Sequence, residues 1–149
     1  MHRNQRAWLG LLLLIVFLPA CQEETALPYS IEGAYNCYQD ETWTLESVDD
    51  ALIGEWDHVY YSCYSGEMEE IPVGDLRLVF KENHELEIYR DGLLDRQDTW
   101  EVIPRGSENF ALTTSQIQPW LNGDIVICED LLVFFESYID GCDNYFERR

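Results

Sequence analysis

Hydrophobic and polar residues alternate in a series of short runs from Ile53 to the C terminus. The first run covers residues 54–64, and its two faces carry two sets of side chains: Trp56, His58 and Tyr60 on one face, and Val59, Tyr61 and Cys63 on the other. Further runs follow at residues 76–80, 84–90, 96–103, 109–113, 124–128, 131–138 and 142–149, and a short strand is also predicted at 115–121. A period of two residues is the pattern of β-strands.

Turn-forming residues separate these runs. Asp91-Gly92 and Asn122-Gly123 are strong turn signals, and polar turns also stand at residues 81–83, 104–106, 129–130 and 140–141. No stretch after residue 53 shows helical periodicity over three turns. About eight short strands at regular spacing predict an all-β fold over residues 53–149, either an antiparallel sandwich or a barrel.

The first twenty residues have a different pattern. A basic start with Arg3 and Arg6 precedes an apolar stretch from residue 7 to residue 18, which Pro19 and polar residues end. A membrane-spanning helix needs about 20 apolar residues, whereas a basic start and a short apolar core are typical of a secretory signal peptide. We therefore expect cleavage of residues 1–20, which leaves 129 of the 149 residues, a length that suits one domain.

The segment Leu18-Pro19-Ala20-Cys21 resembles the lipobox of bacterial lipoproteins, although Pro19 replaces the small or β-branched residue usual there. The resemblance implies that Cys21 becomes the lipid-modified first residue; ordinary cleavage with Cys21 as a free thiol is the alternative. Gln22 stands where an aspartate would resemble an inner-membrane retention signal, so we expect the outer membrane, on its periplasmic or its exposed side. Residues 21–30 are expected to form a tether, and residues 31–52 a segment packed on the β-rich domain.

The charge of the chain limits its partners. All 29 acidic residues follow the predicted cleavage site, where seven of the nine Lys and Arg residues remain, so the mature chain has a formal net charge of −22. Such a field repels nucleic acid and anionic lipid surfaces. Solubility is the simplest interpretation of this acidity. A cationic protein partner and weak divalent-cation binding are the alternatives, although the chain has no calcium-loop pattern.

Four cysteines follow Cys21 in the sequence: Cys37, Cys63, Cys128 and Cys142. In a chain exported to an oxidising compartment they predict two disulfides, for which three connectivities exist. No Cys-x-x-Cys pair is present, and His58 and His84 have no partner at metal-ligand spacing. The chain also lacks a nucleophile elbow and a glycine-rich phosphate loop. We therefore predict no catalytic residue, no metal, no cofactor and no enzymatic activity.

The sequence Gly54-Glu55-Trp56 resembles the Gly-x-Trp signature of lipocalins. Later segments are similar, in the same order, to those of small bacterial lipocalin-like domains: Leu76-x-Leu78-Val79-Phe80, Asp91-Gly92, Thr99-Trp100-Glu101-Val102, Leu131-Leu132-Val133-Phe134, Gly141 and Tyr145-Phe146-Glu147-Arg148. The resemblance covers about residues 52–149, although the Thr-Asp-Tyr motif of larger lipocalins is absent. It implies an antiparallel up-and-down barrel of about eight strands.

The resemblance to lipocalins also implies a disulfide pairing. In such a barrel the first and last strands lie side by side and antiparallel, which would bring Cys63 beside Cys142. The implied bridges are therefore Cys63–Cys142 and Cys37–Cys128. A Cys37–Cys63 bridge is the main rival.

The same resemblance implies roles for inward-facing side chains. The signature tryptophan of lipocalins closes the bottom of the barrel under a basic residue of the last strand, which implies that Arg148 or Arg149 stacks on Trp56. The predicted ligand-binding residues are the large inward side chains: Trp56, Tyr60, Phe80, Ile88, Trp100, Phe110 and Phe134. An eight-stranded barrel is wide enough to hold one small ligand or to be filled by such side chains, and both outcomes stay open.

Two functions are expected from these features. The first is a membrane-anchored binding module that holds a small apolar ligand in the mouth of the barrel. The second is an acidic protein-interaction or inhibitor module that captures a basic partner, in the manner of periplasmic lysozyme inhibitors. The Ser-Gly-x-x-Tyr loop of one such inhibitor family is absent from the chain.

Overall fold

The computed structural model describes residues 31–63, 75–139 and 141–149. The predicted signal peptide, the lipidation site Cys21 and the predicted tether of residues 21–30 lie outside the described residues, as does Tyr64 at the end of the first predicted strand. Over the described residues, no helix has the length and apolar character needed to cross a bilayer.

Eight antiparallel strands form a closed barrel, in which sequence neighbours pair and β8 returns to pair with β1. The strands are β1 (Gly54–Cys63), β2 (Leu76–Phe80), β3 (Glu85–Arg90), β4 (Leu93–Arg105), β5 (Asn109–Thr114), β6 (Asp124–Cys128), β7 (Leu131–Phe135) and β8 (Cys142–Arg148). The predicted all-β up-and-down barrel is therefore confirmed. We call the end with the turns after β2, β4 and β6 the closed end, and the end with the connections after β1, β3, β5 and β7 the open end.

Alternation along the strands directs one set of side chains into the barrel. In β2, for example, Leu76, Leu78 and Phe80 are buried and the residues between them are half-buried. The inward side chains pack into one core, which includes Trp56, Leu78, Phe80, Leu86, Ile88, Trp100, Phe110, Ile125, Leu132, Phe134 and Phe146. Each large apolar side chain buried in this way contributes about 1.5–3 kcal/mol to folding. The lower part of the barrel interior is therefore filled by its own side chains.

A β-bulge at Val59 changes which side chains of β1 face the interior. His58 pairs with Phe146, but Tyr60 pairs with Tyr145, so the register shifts by one residue between them. An extra residue reverses the alternation of the strand. Tyr60 consequently lies on the outer face, with its ring centre 5.4 Å from that of Tyr145. The prediction that Tyr60 faces the barrel interior is therefore wrong.

The connection between β5 and β6 differs from the strand predicted at residues 115–121. It contains a 3-10 turn at Pro119–Leu121. The amides of Ser115 and Gln116 donate to the carboxylate of Asp98 and Pro119 has no amide hydrogen, so this segment has few groups left for a strand ladder. The predicted strand at 131–138 is likewise shorter, because a second 3-10 turn occupies Ser137–Ile139.

Helix α1 (Ile31–Gln39) lies on the outer face of β6, β7 and β8. Its buried residues are Ala34 and Tyr38, which pack with Val126, Val133 and Tyr145. Since α1 covers this outer face, β7 is apolar on both sides. The helical structure of this segment was not predicted from the sequence.

Helix α2 (Leu45–Leu52) closes one end of the barrel. It begins with a capping box, in which the Thr44 side chain accepts a hydrogen bond from the Ser47 amide and the Ser47 side chain accepts one from the Thr44 amide. Val48 and Leu52 are fully buried in the barrel core. The Trp56 indole donates a 2.8 Å hydrogen bond to the Leu52 carbonyl and so joins α2 to β1.

The end of α2 is also held by Arg148. Its guanidinium lies 4.2 Å from the centre of the Trp56 ring and donates hydrogen bonds to the carbonyls of Ala51 (2.7 Å) and Ile53 (3.0 Å). A side chain at Gly54, where φ is +136°, would place its Cβ 2.8 Å from the Arg148 Nη1 atom. The contact implied for one of the last two arginines is therefore made by Arg148, and Gly54 leaves room for it.

Two disulfides connect the elements. Cys37 of α1 is bonded to Cys128 at the end of β6. Cys63 at the end of β1 is bonded to Cys142 at the start of β8. These are the two pairs that the resemblance implied, and the rival Cys37–Cys63 bridge is not formed.

Candidate functional site

A cavity of about 440 Å³ lies at the open end of the barrel. Strands β1, β2, β3 and β8 and the connections after β5 and β7 form its wall, with these side chains among the lining residues: His58, Tyr61, Leu76, Arg90, Trp120, Asn122, Glu136, Cys142 and Asn144. A volume of this size lies within the range of small-molecule sites. The filled core lies beneath this cavity, so the cavity belongs to the mouth of the barrel.

The connection after β5 is held by a buried carboxylate. Asp98 accepts hydrogen bonds from the Ser115 amide (3.1 Å), the Ser115 hydroxyl and the Gln116 amide (3.2 Å), and the Gln118 side chain lies 3.4 Å away. Burial acts to raise the pKa of Asp98, but these hydrogen bonds outweigh it and hold the pKa below its ordinary value. The charged carboxylate therefore fixes the connection that carries Trp120.

The connection after β7 is fixed in the same way. Asp143 is 3% exposed, and its carboxylate accepts hydrogen bonds from the amides of Glu136 (2.9 Å) and Ser137 (2.8 Å). These two amides follow the end of β7 and have left the strand ladder. The Asp143 carboxylate replaces their strand partners. Glu136 is thereby placed in the cavity wall.

His58 is a polar residue in an apolar part of the wall. Its ring centre lies 4.7 Å from that of Phe146, and neither ring nitrogen has a partner in hydrogen-bond geometry within the described chain. Burial lowers the pKa of His58 to about 4; the positive charge of Arg90 adds to this effect and the nearby Asn144 side chain opposes it. The imidazole is therefore neutral at neutral pH, with one donor and one acceptor nitrogen.

Trp120 forms another part of the wall. The guanidinium of Arg90 lies 4.8 Å from the centre of the Trp120 ring, and its Nε atom lies 3.4 Å from the Asp95 carboxylate. The indole nitrogen of Trp120 is buried and has no hydrogen-bond partner among the described residues. The side-chain oxygen of the nearby Gln118 is also buried and without a hydrogen-bond partner among the described residues. Two of the residues with such atoms, His58 and Trp120, thus belong to the wall of one cavity.

The arrangement is suited to non-covalent binding. Leu76, Tyr61 and the Trp120 ring offer apolar surface, while Asn122 and Asn144 offer side-chain amides. In the parts of the chain that the structure describes, no three His, Cys, Asp or Glu side chains converge to hold a metal ion. A small ligand would therefore meet apolar walls with a few hydrogen-bonding points, which is the usual composition of a ligand pocket.

The seven predicted ligand-binding residues lie elsewhere. Six of them pack in the barrel core, namely Trp56, Phe80, Ile88, Trp100, Phe110 and Phe134, and all six are 7% exposed or less. Tyr60 lies on the outer face because of the bulge. These side chains fill the barrel instead of lining the cavity, because they pack with one another and with Val48 and Leu52 of α2 at the closed end.

Most of the residues that do line the cavity were missed from the sequence. His58 was placed on the same face as Trp56, and the strand pattern was sufficient to assign it to the interior. Trp120 was assigned to a strand, although Pro119 beside it indicated a turn. Arg90 precedes the Asp91-Gly92 turn, so its place at the open end followed from the hairpin, but no pattern pointed to its stacking on Trp120.

Comparison with known proteins gives no relative for this chain. No protein-family model matches it, no curated protein matches it and no solved structure matches it. A functional proposal therefore depends on the barrel, the cavity and the sequence at the N terminus.

Proposed function

We propose that this chain is a lipid-anchored protein of the cell envelope whose barrel binds a small, mainly apolar ligand at its open end. The observation that carries this proposal is the cavity of about 440 Å³ at the open end, whose wall includes His58 and Trp120, two residues with buried ring nitrogens that have no hydrogen-bond partner in the described structure. A buried polar group without a partner costs about 1–3 kcal/mol. Several such groups around one cavity favour a ligand that supplies the partners after small rotations of the two rings.

The lining of the cavity narrows the class of ligand. Apolar contacts come from Leu76, Tyr61 and Trp120, and the neutral His58 and the Asn144 amide provide hydrogen bonds. The formal net charge of −20 opposes multiply charged anions. The best fit is therefore a neutral or singly charged molecule with an apolar body and one or two hydrogen-bonding groups.

Thermal denaturation with three probes tests the binding proposal. We expect 1-decanol, decanoate or a neutral monoacylglycerol to raise the Tm by several degrees, because a ligand at 100 times its Kd stabilises the folded state by about 2.7 kcal/mol.

Trp120→Ala should weaken binding at least tenfold, since it removes one wall of the cavity. Ile103→Ala, at an exposed site on β4, is the matched control and should bind as the unmodified chain does. An unchanged Tm and no binding heat with all three probes would contradict the proposal.

The anchoring part of the proposal rests on the segment Leu18-Pro19-Ala20-Cys21, which lies outside the described residues. Mass spectrometry of the mature N-terminal peptide should detect acyl chains on Cys21. The variant Cys21→Ser should move the protein from the membrane fraction to the soluble fraction, because several acyl chains are needed for stable attachment. An unmodified Cys21, or a variant that stays in the membrane fraction, would argue against the anchor.

An acidic protein-interaction module is the second candidate, favoured by the excess of 29 acidic over nine basic residues. Its partner would be a basic protein, attracted through long-range charge. Binding to lysozyme at low ionic strength, weakening steeply as salt is added, would support this function. No binding at low ionic strength would exclude it for that partner class.

A further inference from the structure

Exposed apolar side chains surround the open end of the barrel. Among the residues that the structure describes, eight large apolar side chains are exposed, and five of these belong to the open end: Leu93 and Leu94 at the start of β4, and Ile117, Tyr138 and Ile139 on the connections after β5 and β7. We call these five residues the apolar rim. Ile117 is 86% exposed and Leu93 is 74% exposed, so these apolar side chains are accessible to a partner. Scattered apolar residues are common on surfaces, but a group around one opening indicates an interaction surface.

The direction of α1 places the N-terminal side of the chain towards the rim. Tyr35 lies with its ring centre 6.3 Å from that of Phe135, the last residue of β7 on the open-end side. Two residues later, Cys37 is bonded to Cys128, at the closed-end side of β6. The helix therefore runs from the open end towards the closed end, and its first turn is the part nearest the rim.

The position of the proposed anchor follows from this direction. Cys21 precedes Ile31, the first residue of α1, by ten positions in the sequence. Ten residues span at most about 36 Å when fully extended. A bilayer that holds the lipid of Cys21 is thus within reach of the rim.

The charges near the rim specify the kind of bilayer. The five rim side chains carry no charge. Asp91 and Asp95 stand beside the two leucines of the rim, and Arg90 and Arg96 flank this segment, with Arg90 paired to Asp95 at 3.4 Å. Asp75 and Glu136 at the same end leave the acidic residues in excess. Carboxylates at this position oppose deep insertion and repel anionic headgroups. Shallow contact with zwitterionic lipids buries the apolar side chains and leaves the flanking carboxylates in water.

We infer that the apolar rim docks onto the bilayer that holds the lipid anchor, so that the cavity opens towards the membrane. This inference rests on the proposed anchoring and ligand binding, and it deepens them by naming the source of the ligand. A cavity that faces the lipid interface takes up a molecule dissolved in the bilayer, with its apolar body and few polar groups. The ligand class is therefore lipid-like.

Tryptophan quenching in vesicles tests the docking. The mature lipidated protein is reconstituted into phosphatidylcholine vesicles with and without bromine on the acyl chains, because bromine quenches tryptophan at short range. We expect marked quenching that is largely lost in Trp120→Phe and retained in Trp43→Phe, since Trp43 packs against α1 on the outer face. Ile117→Asp should reduce the quenching at least twofold. Its matched control, Ile103→Asp on β4, should leave the quenching unchanged.

Flotation of the vesicles, measured on the same samples, separates failure of the docking from failure of the anchor. Protein that floats with the vesicles but is not quenched overturns the docking and leaves the anchoring intact. Protein that does not float overturns the anchoring and the docking together. Equal quenching in Ile117→Asp and Ile103→Asp also overturns the docking. Light scattering that shows a dimer, together with no quenching, overturns it as well, because a second copy of the chain would then cover the apolar rim. Replacement of phosphatidylcholine by phosphatidylglycerol should weaken the quenching, and stronger quenching would contradict the charge argument.

Discussion

The guanidinium of Arg148, in the last strand, lies 4.2 Å from the ring centre of Trp56, in the first strand. The same guanidinium donates hydrogen bonds to the carbonyls of Ala51 and Ile53 at the end of α2. One side chain thus joins the two ends of the β-domain to the helix that closes it. Because the carbonyls at the end of a helix have no partners within the helix, Arg148 also completes α2.

Removal of this guanidinium should destabilise the fold. We expect Arg148→Ala to lower the free energy of unfolding by about 2–4 kcal/mol, since hydrogen bonds to a charged group and a desolvated cation–π contact are lost together. Arg148→Lys should recover less than half of the lost free energy, because the ammonium group of lysine lacks the planar arrangement of N–H donors that a guanidinium has. Urea denaturation measures the free energy of unfolding of both variants. Arg149→Ala, at a half-exposed arginine, is the control and should cost less than about 0.5 kcal/mol; equal losses for Arg148→Ala and Arg149→Ala would contradict the role of Arg148.

The stability of the protein should depend on the protonation of His58. Burial lowers the pKa of His58 from 6.5 to about 4 in the folded state. As the pH falls, the unfolded chain takes up the proton first, so the free energy of unfolding decreases between pH 6.5 and pH 4. The difference between the pKa of His58 in the unfolded chain and its pKa in the folded protein corresponds to about 3 kcal/mol of the free energy of unfolding.

The variant His58→Phe should remove this part of the pH dependence. Denaturation at pH 7 and pH 4.5 measures the loss for each protein, and NMR titration of the His58 ring gives its pKa directly. His84→Gln, at a half-exposed histidine that contacts Asp49, serves as the matched control. A His58 titration midpoint near 6.5 would show that the ring is not buried.

Neutralisation of Asp98 should loosen the wall of the cavity. Asp98→Asn removes a charged acceptor from the amides of Ser115 and Gln116, and we expect a loss of about 2–4 kcal/mol in the free energy of unfolding. Hydrogen exchange at these two amides should become faster, and ligand binding at Trp120 should weaken. Glu101→Gln, at an exposed position of the same strand β4, is the control. Unchanged exchange at both amides would show that another group holds this connection.

Removal of the Cys37–Cys128 bridge should release α1 without opening the barrel. The double variant Cys37→Ser with Cys128→Ser should lose about 4 kcal/mol, because the bridge closes a loop of 91 residues in the unfolded chain. Amides of α1 should exchange faster while those of β2 and β3 stay protected. Uniformly faster exchange would mean that α1 and the barrel unfold as one unit.

The alternation of side chains was sufficient to predict the barrel strands but not the exact faces of β1. Strands such as β2 show a clear period of two, with Leu76, Leu78 and Phe80 inward. The bulge at Val59 leaves no signal in the sequence, because it depends on pairing with β8 and not on local preference. Tyr60 was consequently assigned to the wrong face.

The helices and the cavity were harder to predict. Helix α2 has eight residues, too few for a periodicity argument, although Thr44 and Ser47 form a capping box at its start. The cavity is assembled from residues far apart in the sequence, such as His58 and Trp120, which line the same space once the barrel closes. Large apolar residues of the strands were assigned to ligand binding, whereas closure of one end by α2 commits them to packing.

The pairing of β1 with β8 differs from every other strand junction in one respect. Every other junction pairs strands that follow one another in the sequence, whereas this seam joins residues such as Cys63 and Cys142, which are 79 positions apart. Junctions between distant residues form slowly, because the entropy of a long loop is lost before any contact is gained. Until the seam forms, the folding chain is an open sheet with two unpaired edges that can pair with other chains. The bridge between Cys63 and Cys142 lies on this seam and holds it closed, so neither edge strand is left open to pairing with a second molecule.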